Sequence, residues 1–214
     1  MVSPISTRFH IILLRHAQSE GNAQGILQGQ SDFPLSDTGV QQAEALARRW
    51  KKERVCFDAI LSSPLSRARQ TAEIIAAGLI APLELHAEWM ERDNGQFAGL
   101  RPEEIDERGL RPSFTNLYQS IGIEGESQWE LYLRAGRAVQ NLLHRPPGRY
   151  LVVSHGGILN LAMYAILGIV PQANFHGPRF RFRNTAFATL EYDPSRHIWS
   201  LEVINDRTHW QKPE

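Results

Sequence analysis

Short apolar runs that end in polar residues place the strongest limit on how this chain can fold. Residues 9–14 form one such run, and Arg15 and His16 follow it directly. A second run ends at Ser62, and a third covers residues 150–154. Runs of this length are typical of strands that are buried on both faces of a parallel sheet covered by helices. The chain is therefore expected to build such a sheet, with polar residues at its strand ends.

The segments between these runs carry helix signals. Pro64 stands where the first turn of a helix tolerates proline best. Helices are predicted over about 39–52, 64–77, 127–144 and 156–168, a further strand over 82–86, and a closing hairpin over 185–192 and 198–204. This order predicts an α/β fold, a three-layer α/β/α sandwich with a mostly parallel sheet and an antiparallel edge strand. We expect a single domain over residues 1–214, with an irregular, cap-like insertion around 89–126.

The composition narrows the function classes. Lysine plus arginine number 23, as do aspartate plus glutamate, so the chain lacks the basic excess of a nucleic-acid binder. An anionic substrate would have to be bound by a few local arginines. The single cysteine, Cys56, fits a reducing compartment and is interpreted as a small core residue. The apolar stretches are too short for a bilayer span, so we expect a soluble, cytoplasmic protein without a membrane partner.

Three polar clusters follow predicted strands, and in open parallel sheets ligands bind where the strands end. Arg15 and His16 form the first cluster. The second places Arg67 in the first turn of a helix after Ser62-Ser63, where side chains reach back over the strand ends. The third is His155 with two following glycines, at a helix start whose amides favour an anion. Each cluster alone is more often structural, but together they predict an anion site at one edge of the sheet.

Together the clusters resemble the motifs of the histidine phosphatase superfamily, in the branch that contains cofactor-dependent phosphoglycerate mutases and related phosphatases. The opening Arg-His-Gly motif stands here as residues 15–22, with Ala17 in place of the glycine. Further matches follow in family order over almost the whole chain: Gln28-Gly29, 35–39, 62–68, Glu91 with Gly95 and Gly99, 125–127, 153–157 and 205–210. Each motif is weak alone, whereas the ordered set is specific.

The resemblance implies phosphoryl transfer through a phosphorylated histidine. His16 would attack through one ring nitrogen while the other donates to a backbone carbonyl. Glu91 would protonate the leaving oxygen and then accept a proton from water, a task that calls for a raised pKa. The other residues would bind the transferred group or the substrate: Arg15, Arg67, His155, Asn22, Gln28, Gly29 and Gly156. Since arginines supply the positive charge, no metal or other cofactor is expected.

Two reactions are open to such a site. A phosphatase passes the phosphoryl group to water, whereas a mutase passes it to a second hydroxyl and needs 2,3-bisphosphoglycerate. Only 64 positions separate Glu91 from His155, residues 101–124 contain no adjacent arginine pair of the mutase type, and the chain stops soon after its last strand. We therefore expect a phosphatase that acts on a small phosphomonoester. A catalytically silent member that binds ligands or partners is a further alternative, which the intact catalytic set disfavours.

Two features stay open at this point. Several aromatic residues could line a cap over the pocket and favour a partly apolar phosphoester, or could be ordinary packing: Trp89, Phe97, Phe114, Tyr118, Trp129 and Tyr132. The protein could be a monomer or a homodimer, with an edge strand or residues 175–182 as candidate interfaces.

Overall fold

Six strands and six α-helices make up the described part of the chain, residues 7–110, 116–173 and 176–210 of this computed structural model. The strands are β1 (Phe9–Arg15), β2 (Ala59–Ser62), β3 (Leu83–Leu85), β4 (Arg149–Ser154), β5 (Phe187–Asp193) and β6 (Ile198–Asp206). The helices are α1 (Glu20–Ala23), α2 (Asp37–Lys52), α3 (Ser66–Leu79), α4 (Pro102–Glu107), α5 (Gln128–Leu143) and α6 (Gly156–Leu167). Two 3₁₀ turns lie at Ala87–Trp89 and Gly95–Phe97.

The strands form one sheet in the order β3-β2-β4-β1-β5-β6. The first four run parallel, and β5 and β6 run antiparallel at one side. This arrangement confirms the predicted mixed α/β sheet. Because β4 lies between β1 and β2, the carboxyl ends of the three strands that precede the polar clusters are neighbours. The register pairs Arg15 with Ser154 and Ser62 with Val153.

Helices cover both faces of the sheet. Leu14 and Val153 pack with Trp50 and Ile75 of α2 and α3, whereas neighbouring strand residues such as Val152 pack with α5 and α6. This alternation follows from the two-residue period of a strand. Each fully buried large apolar side chain contributes about 1.5–3 kcal/mol, so the two apolar layers hold the strand ends firmly in place.

Helix α3 starts later than its sequence predicts. Leu65 is extended and buried, and it is the N-cap residue, so Pro64 precedes the helix instead of opening it. The carboxylate of Asp32 accepts hydrogen bonds from the amide and the hydroxyl of Ser66, at 2.7 Å each. This tertiary capping sets the first turn, and it leaves Arg67 as the second helical residue.

Cys56 is exposed, so its interpretation as a core residue was wrong. The flanking Val55 and Phe57 pack against the core that α2 and α3 form. Because they are spaced by two residues, the side chain between them points to solvent.

The described part of the segment between β3 and α5 is largely irregular. It contains both 3₁₀ turns and the short helix α4, while residues 111–115 lie outside the described residues. Among the described residues, none of the helices is long and apolar enough to cross a membrane.

Candidate active site

The three polar clusters meet at the carboxyl ends of β1, β2 and β4. The amide of His16 donates to the carbonyl of Ser154 at 2.9 Å, and that of Ser63 donates to Val153 at 3.0 Å. The rings of His16 and His155 lie 5.0 Å apart between centroids. Residues that are distant in the sequence therefore form one cluster, as the pattern of strand ends predicts.

The ring of His16 is held in one tautomer. Its Nδ1 lies 2.6 Å from the carbonyl oxygen of Ala17, which can only accept, so Nδ1 carries the proton. The lone pair is then on Nε2, as a nucleophile requires. The side chain is 3% exposed and lines a cavity of about 320 Å³. The hydrogen bond expected from the second ring nitrogen is therefore present.

Both histidines of the cluster are neutral at physiological pH. Burial lowers the pKa of His16 well below its usual value, and the nearby Arg67 and Arg15 lower it further. Burial also lowers the pKa of His155, followed by the influence of His16 and the two arginines. Removing water disfavours the charged imidazolium, and neighbouring positive charges act in the same direction. His16 is therefore ready to act as a nucleophile without losing a proton first.

Arg67 links the second cluster to the other two. It is 1% exposed, and burial lowers its pKa to about 10, so it stays charged at neutral pH. Its guanidinium donates to the carbonyls of Gly29 at 2.7 Å and Ser31 at 2.9 Å, and through Nε to Nδ1 of His155 at 3.2 Å. His155 therefore carries its proton on Nε2, which lies 2.8 Å from the hydroxyl of Ser63.

His155 is fully buried and is not among the residues that line the cavity. Both of its ring nitrogens already have protein partners, so its immediate effect is to orient Arg67 and to pack against His16. For His155 to donate the predicted hydrogen bond to a phosphoryl oxygen, its Nε2–H would have to give up its hydrogen bond to the hydroxyl of Ser63.

The loop that follows His16 forms part of the cavity wall, to which Asn22, Gln28 and Gly29 all contribute. Gln28 accepts a hydrogen bond from the hydroxyl of Ser19 at 2.8 Å. Gly29 has a φ of +50°, a left-handed conformation that costs glycine little. The three predicted substrate-binding residues of this loop are therefore beside the candidate nucleophile.

Glu91 reaches the same cavity from the irregular segment, and backbone amides hold its carboxylate. It accepts from Gly157 at 2.9 Å, from Ile158 at 3.1 Å and from Arg92 at 2.8 Å. The sequence predicted that the amides at the start of α6 would face a substrate anion. Two of them face Glu91 instead, because the helix N-terminus attracts the nearest negative charge. Gly156, at the same helix start, lies beside Arg15, since a Cβ there would be 3.9 Å from its Nε.

One arginine makes several hydrogen bonds to the backbone around Glu91. Arg134 of α5 donates to the carbonyls of Glu88, Met90 and Glu91 at 2.6–3.1 Å. It also forms a bidentate ion pair with Glu126 at 2.7 and 2.8 Å. Five donors in a rigid fork suit several acceptors at once. The position of Glu91 thus depends on a residue that the sequence alone did not single out.

Asn184 and Thr185 support the backbone of the candidate nucleophile, and the sequence did not single them out either. The amide of Asn184 donates to the carbonyl of His16 at 3.0 Å and to Oδ1 of Asn22 at 3.1 Å. Thr185 is buried with a φ of +55°, which is unusual for a β-branched residue, and its amide donates to the carbonyl of Arg15 at 3.1 Å. Their only sequence signal is a pair of polar residues just before an apolar strand.

Of the aromatic residues considered for a cap, the described ones do not line this cavity, so the packing alternative applies to them. Trp89 and Phe97 are buried in the protein, and Trp129 packs its ring 5.8 Å from those of Tyr118 and Tyr132. The apolar part of the cavity wall comes from Ile26, Leu27 and Ile121. Phe114 lies outside the described residues.

Comparison with known proteins places this geometry in a family. Residues 11–207 match the model of the histidine phosphatase superfamily, branch 1. The chain belongs to this superfamily. It is 36% identical to the probable phosphoglycerate mutase GpmB of Photorhabdus laumondii, over 95% of each chain.

Solved structures similar to this superfamily member include phosphatases. Phosphoserine phosphatase from Entamoeba histolytica, in complex with 3-phosphoglyceric acid, aligns with a TM-score of 0.78 at 26% identity, covering 94% of this chain and 98% of its own. Mycobacterial glucosyl-3-phosphoglycerate phosphatase aligns with a TM-score of 0.75 at 25% identity, covering 92% and 98%. The superfamily thus includes both reaction types that the site could serve.

Proposed function

We propose that this protein is a phosphatase that hydrolyses small phosphomonoesters through a phosphohistidine at His16. The observation that carries the proposal is the tautomer of His16, whose Nδ1 proton is held by Ala17 while Nε2 shares a cavity with Arg15, Arg67 and Glu91. A nucleophile, cationic groups for phosphoryl oxygens and an acid/base residue are what such a reaction needs.

In the first step, Nε2 of His16 attacks phosphorus while the bond from phosphorus to the leaving oxygen breaks. Glu91, protonated for this step, gives its proton to that oxygen and releases an alcohol. Arg15 and Arg67 stabilise the charge on the equatorial oxygens, which arginine suits because its fork is planar and charged. The carbonyl of Ala17 stabilises the ring as it becomes positive.

In the second step, water attacks phosphorus and the bond to Nε2 breaks. Glu91, now ionised, accepts the proton of the water, and inorganic phosphate leaves. The amides of Gly157 and Ile158 hold the carboxylate in place for this proton transfer. His16 returns to its starting tautomer, and no metal or other cofactor takes part in either step.

The test is chemical trapping of the intermediate. Incubation with a ³²P-labelled ester should label the protein with an acid-labile, alkali-stable phosphoramidate. His16→Ala should abolish the label and lower turnover at least about 10⁴-fold, and turnover of the wild type should persist in a chelator. A labelled His16→Ala protein would refute the assignment, and loss of activity with the chelator would refute the metal-free mechanism. Absence of any turnover by the wild type would instead favour a silent, ligand-binding member.

Phosphoglycerate mutase is the second candidate, favoured by the name of the GpmB relative. Mutases need cationic side chains for a substrate carboxylate, and among the described arginines of the insertion Arg92 alone lines the cavity. Arg101 and Arg108 are described and do not line the cavity, whereas Arg111 lies outside the described residues. Incubation with 3-phosphoglycerate, with and without 2,3-bisphosphoglycerate, separates the reactions. Isomerisation faster than phosphate release would establish the mutase.

A further inference from the structure

A second cavity adjoins the candidate active site. Its volume is about 310 Å³, and it lies between α6 and the segment that precedes β5. Arg92 and Gly157 line both cavities, so the two share a wall. Glu91, which receives the amide of Gly157, stands at this boundary. A group bound in the second cavity would therefore lie close to the residue that protonates the leaving oxygen.

The charge of the second cavity is positive. Three arginines line it, Arg92, Arg179 and Arg181, and no carboxylate of a described residue does. Arg92 is 8% exposed and donates to Oε1 of Gln128 at 2.5 Å, with the charges of Glu91 and Glu126 nearby. The other two arginines are exposed, and neither forms an ion pair with a described carboxylate. The charge of Arg92 is thus partly balanced by nearby carboxylates, whereas Arg179 and Arg181 remain available to bind an anion.

The backbone that carries these two arginines is held in place. The amide of Phe180 donates to Oδ1 of Asn160 at 2.8 Å, and the hydroxyl of Tyr164 donates to the carbonyl of Pro178 at 2.6 Å. At the other end, Nη1 of Arg15 donates to the carbonyl of Phe182 at 2.8 Å. The segment is therefore attached both to α6 and to a residue of the first cavity. A fixed backbone reduces the entropy that two arginines lose when they bind a ligand.

We propose that the second cavity binds a second anionic group of the substrate, a carboxylate or a phosphate, on the leaving-group side of the ester. The inference rests on the proposed phosphatase function and narrows its substrate class to esters with at least two anionic groups. Arginine forks recognise either group through charge-assisted hydrogen bonds. The substrate would thus be bound at both ends, with the breaking bond beside Glu91.

Matched substrates test this proposal. 3-Phosphoglycerate carries a carboxylate where glycerol 3-phosphate has a hydroxymethyl group, and propane-1,3-diol bisphosphate adds a phosphate to its monophosphate. The wild type should prefer the more charged member of at least one pair in kcat/KM, and the pair that shows the preference identifies the anion. In Arg179→Gln/Arg181→Gln this preference should fall about tenfold or more, with turnover of the less charged esters unchanged.

Arg183→Gln is the matched control, because Arg183 is exposed on the same segment but does not line the cavity. An unchanged preference in the double variant, an equal loss in the control, or equal turnover of both members of each pair by the wild type would overturn the proposal. Calorimetry on His16→Ala with the same pairs measures binding without turnover. A binding preference that the double substitution removes supports the second site even if the wild type hydrolyses nothing, an outcome that would refute only the phosphatase function.

Discussion

The two sides of the candidate active site are built in different ways. On the nucleophile side, Arg15 and His16 continue a buried strand, and hydrogen bonds of the sheet edge hold their backbone. On the acid side, Glu91 lies in an irregular segment, and side chains and amides from α5 and α6 hold it in place. Regular structure positions one candidate catalytic group, whereas individual long-range contacts position the other.

This difference has a consequence for mutations. A strand end surrounded by packed neighbours depends on many contacts, none of which dominates its position. Glu91 depends on a few identifiable groups, so a single change at one of them should displace it. We expect the acid side to be the more fragile, and the following substitutions address that expectation.

The largest effect should come from removing the acid itself. Glu91→Gln should lower kcat for an alkyl phosphate about 10²–10⁴-fold, because its leaving oxygen needs a proton. Phosphoenzyme formation from p-nitrophenyl phosphate should fall much less, since nitrophenolate leaves without being protonated. Rapid-quench kinetics measures this step, with Glu88→Gln as the neighbouring control. Equal losses for both esters would show that Glu91 is not the acid.

A smaller change should act through the position of Glu91. A Cβ at residue 157 would lie 2.5 Å from Oε1 of Glu91, so Gly157→Ala should push the carboxylate away and lower kcat roughly 10²-fold. Gly136→Ala in α5 is the control, because its Cβ would meet only Ala165 at 3.8 Å. That control should keep full activity and gain about 0.5–1 kcal/mol of stability. Full activity in Gly157→Ala would contradict the observed geometry of Glu91.

Loosening the backbone around Glu91 should cost less again. Arg134→Lys keeps the charge but loses the fork that holds three carbonyls and Glu126, so kcat should fall about tenfold. Amide hydrogen exchange in residues 88–92 should speed up in parallel. Arg137→Lys, on an exposed position of the same helix, should change neither quantity. If Arg134→Lys slows the enzyme without faster exchange, its role is not to position this segment.

The last test examines the nucleophile side through the pH dependence of the free energy of unfolding. Burial lowers the pKa of His16 and His155, and it lowers that of His209, which contacts Thr185, to about 4. The unfolded chain therefore binds more protons below about pH 6.5. The free energy of unfolding should be highest above that pH and should fall between about 6.5 and 4.

Urea denaturation at several pH values measures this slope. His209→Gln should reduce the slope, because one group with a lowered pKa is removed. His10→Gln is the control on the surface, at a partly exposed position of β1. A stability that stays flat from pH 7 to 4.5 would contradict the buried, neutral histidines.

Much of the nucleophile side could be predicted from the sequence. Apolar runs identified β1, β2 and β4, and the polar residues after them identified Arg15, His16, Arg67 and His155. This succeeds because strand period and strand ends are local properties, and neighbouring parallel strands bring their ends together. The predictions for the start of α3 and for Cys56 were wrong because both depend on tertiary contacts. Asp32 caps α3 from a distant part of the chain, and packing decides that the side chain of Cys56 points to solvent.

The sequence by itself determined the α/β order, the superfamily motifs and the residues from which a phosphohistidine site can be built. Only the tertiary structure decided that the amides of α6 hold Glu91, that Arg134 fixes its backbone, and that Asn184 supports His16. It also placed Arg179 and Arg181 beside the site. The physical reason is distance along the chain, since Glu91 and Gly157 stand 66 residues apart. Only the packing of α5 and α6 on the sheet makes them neighbours.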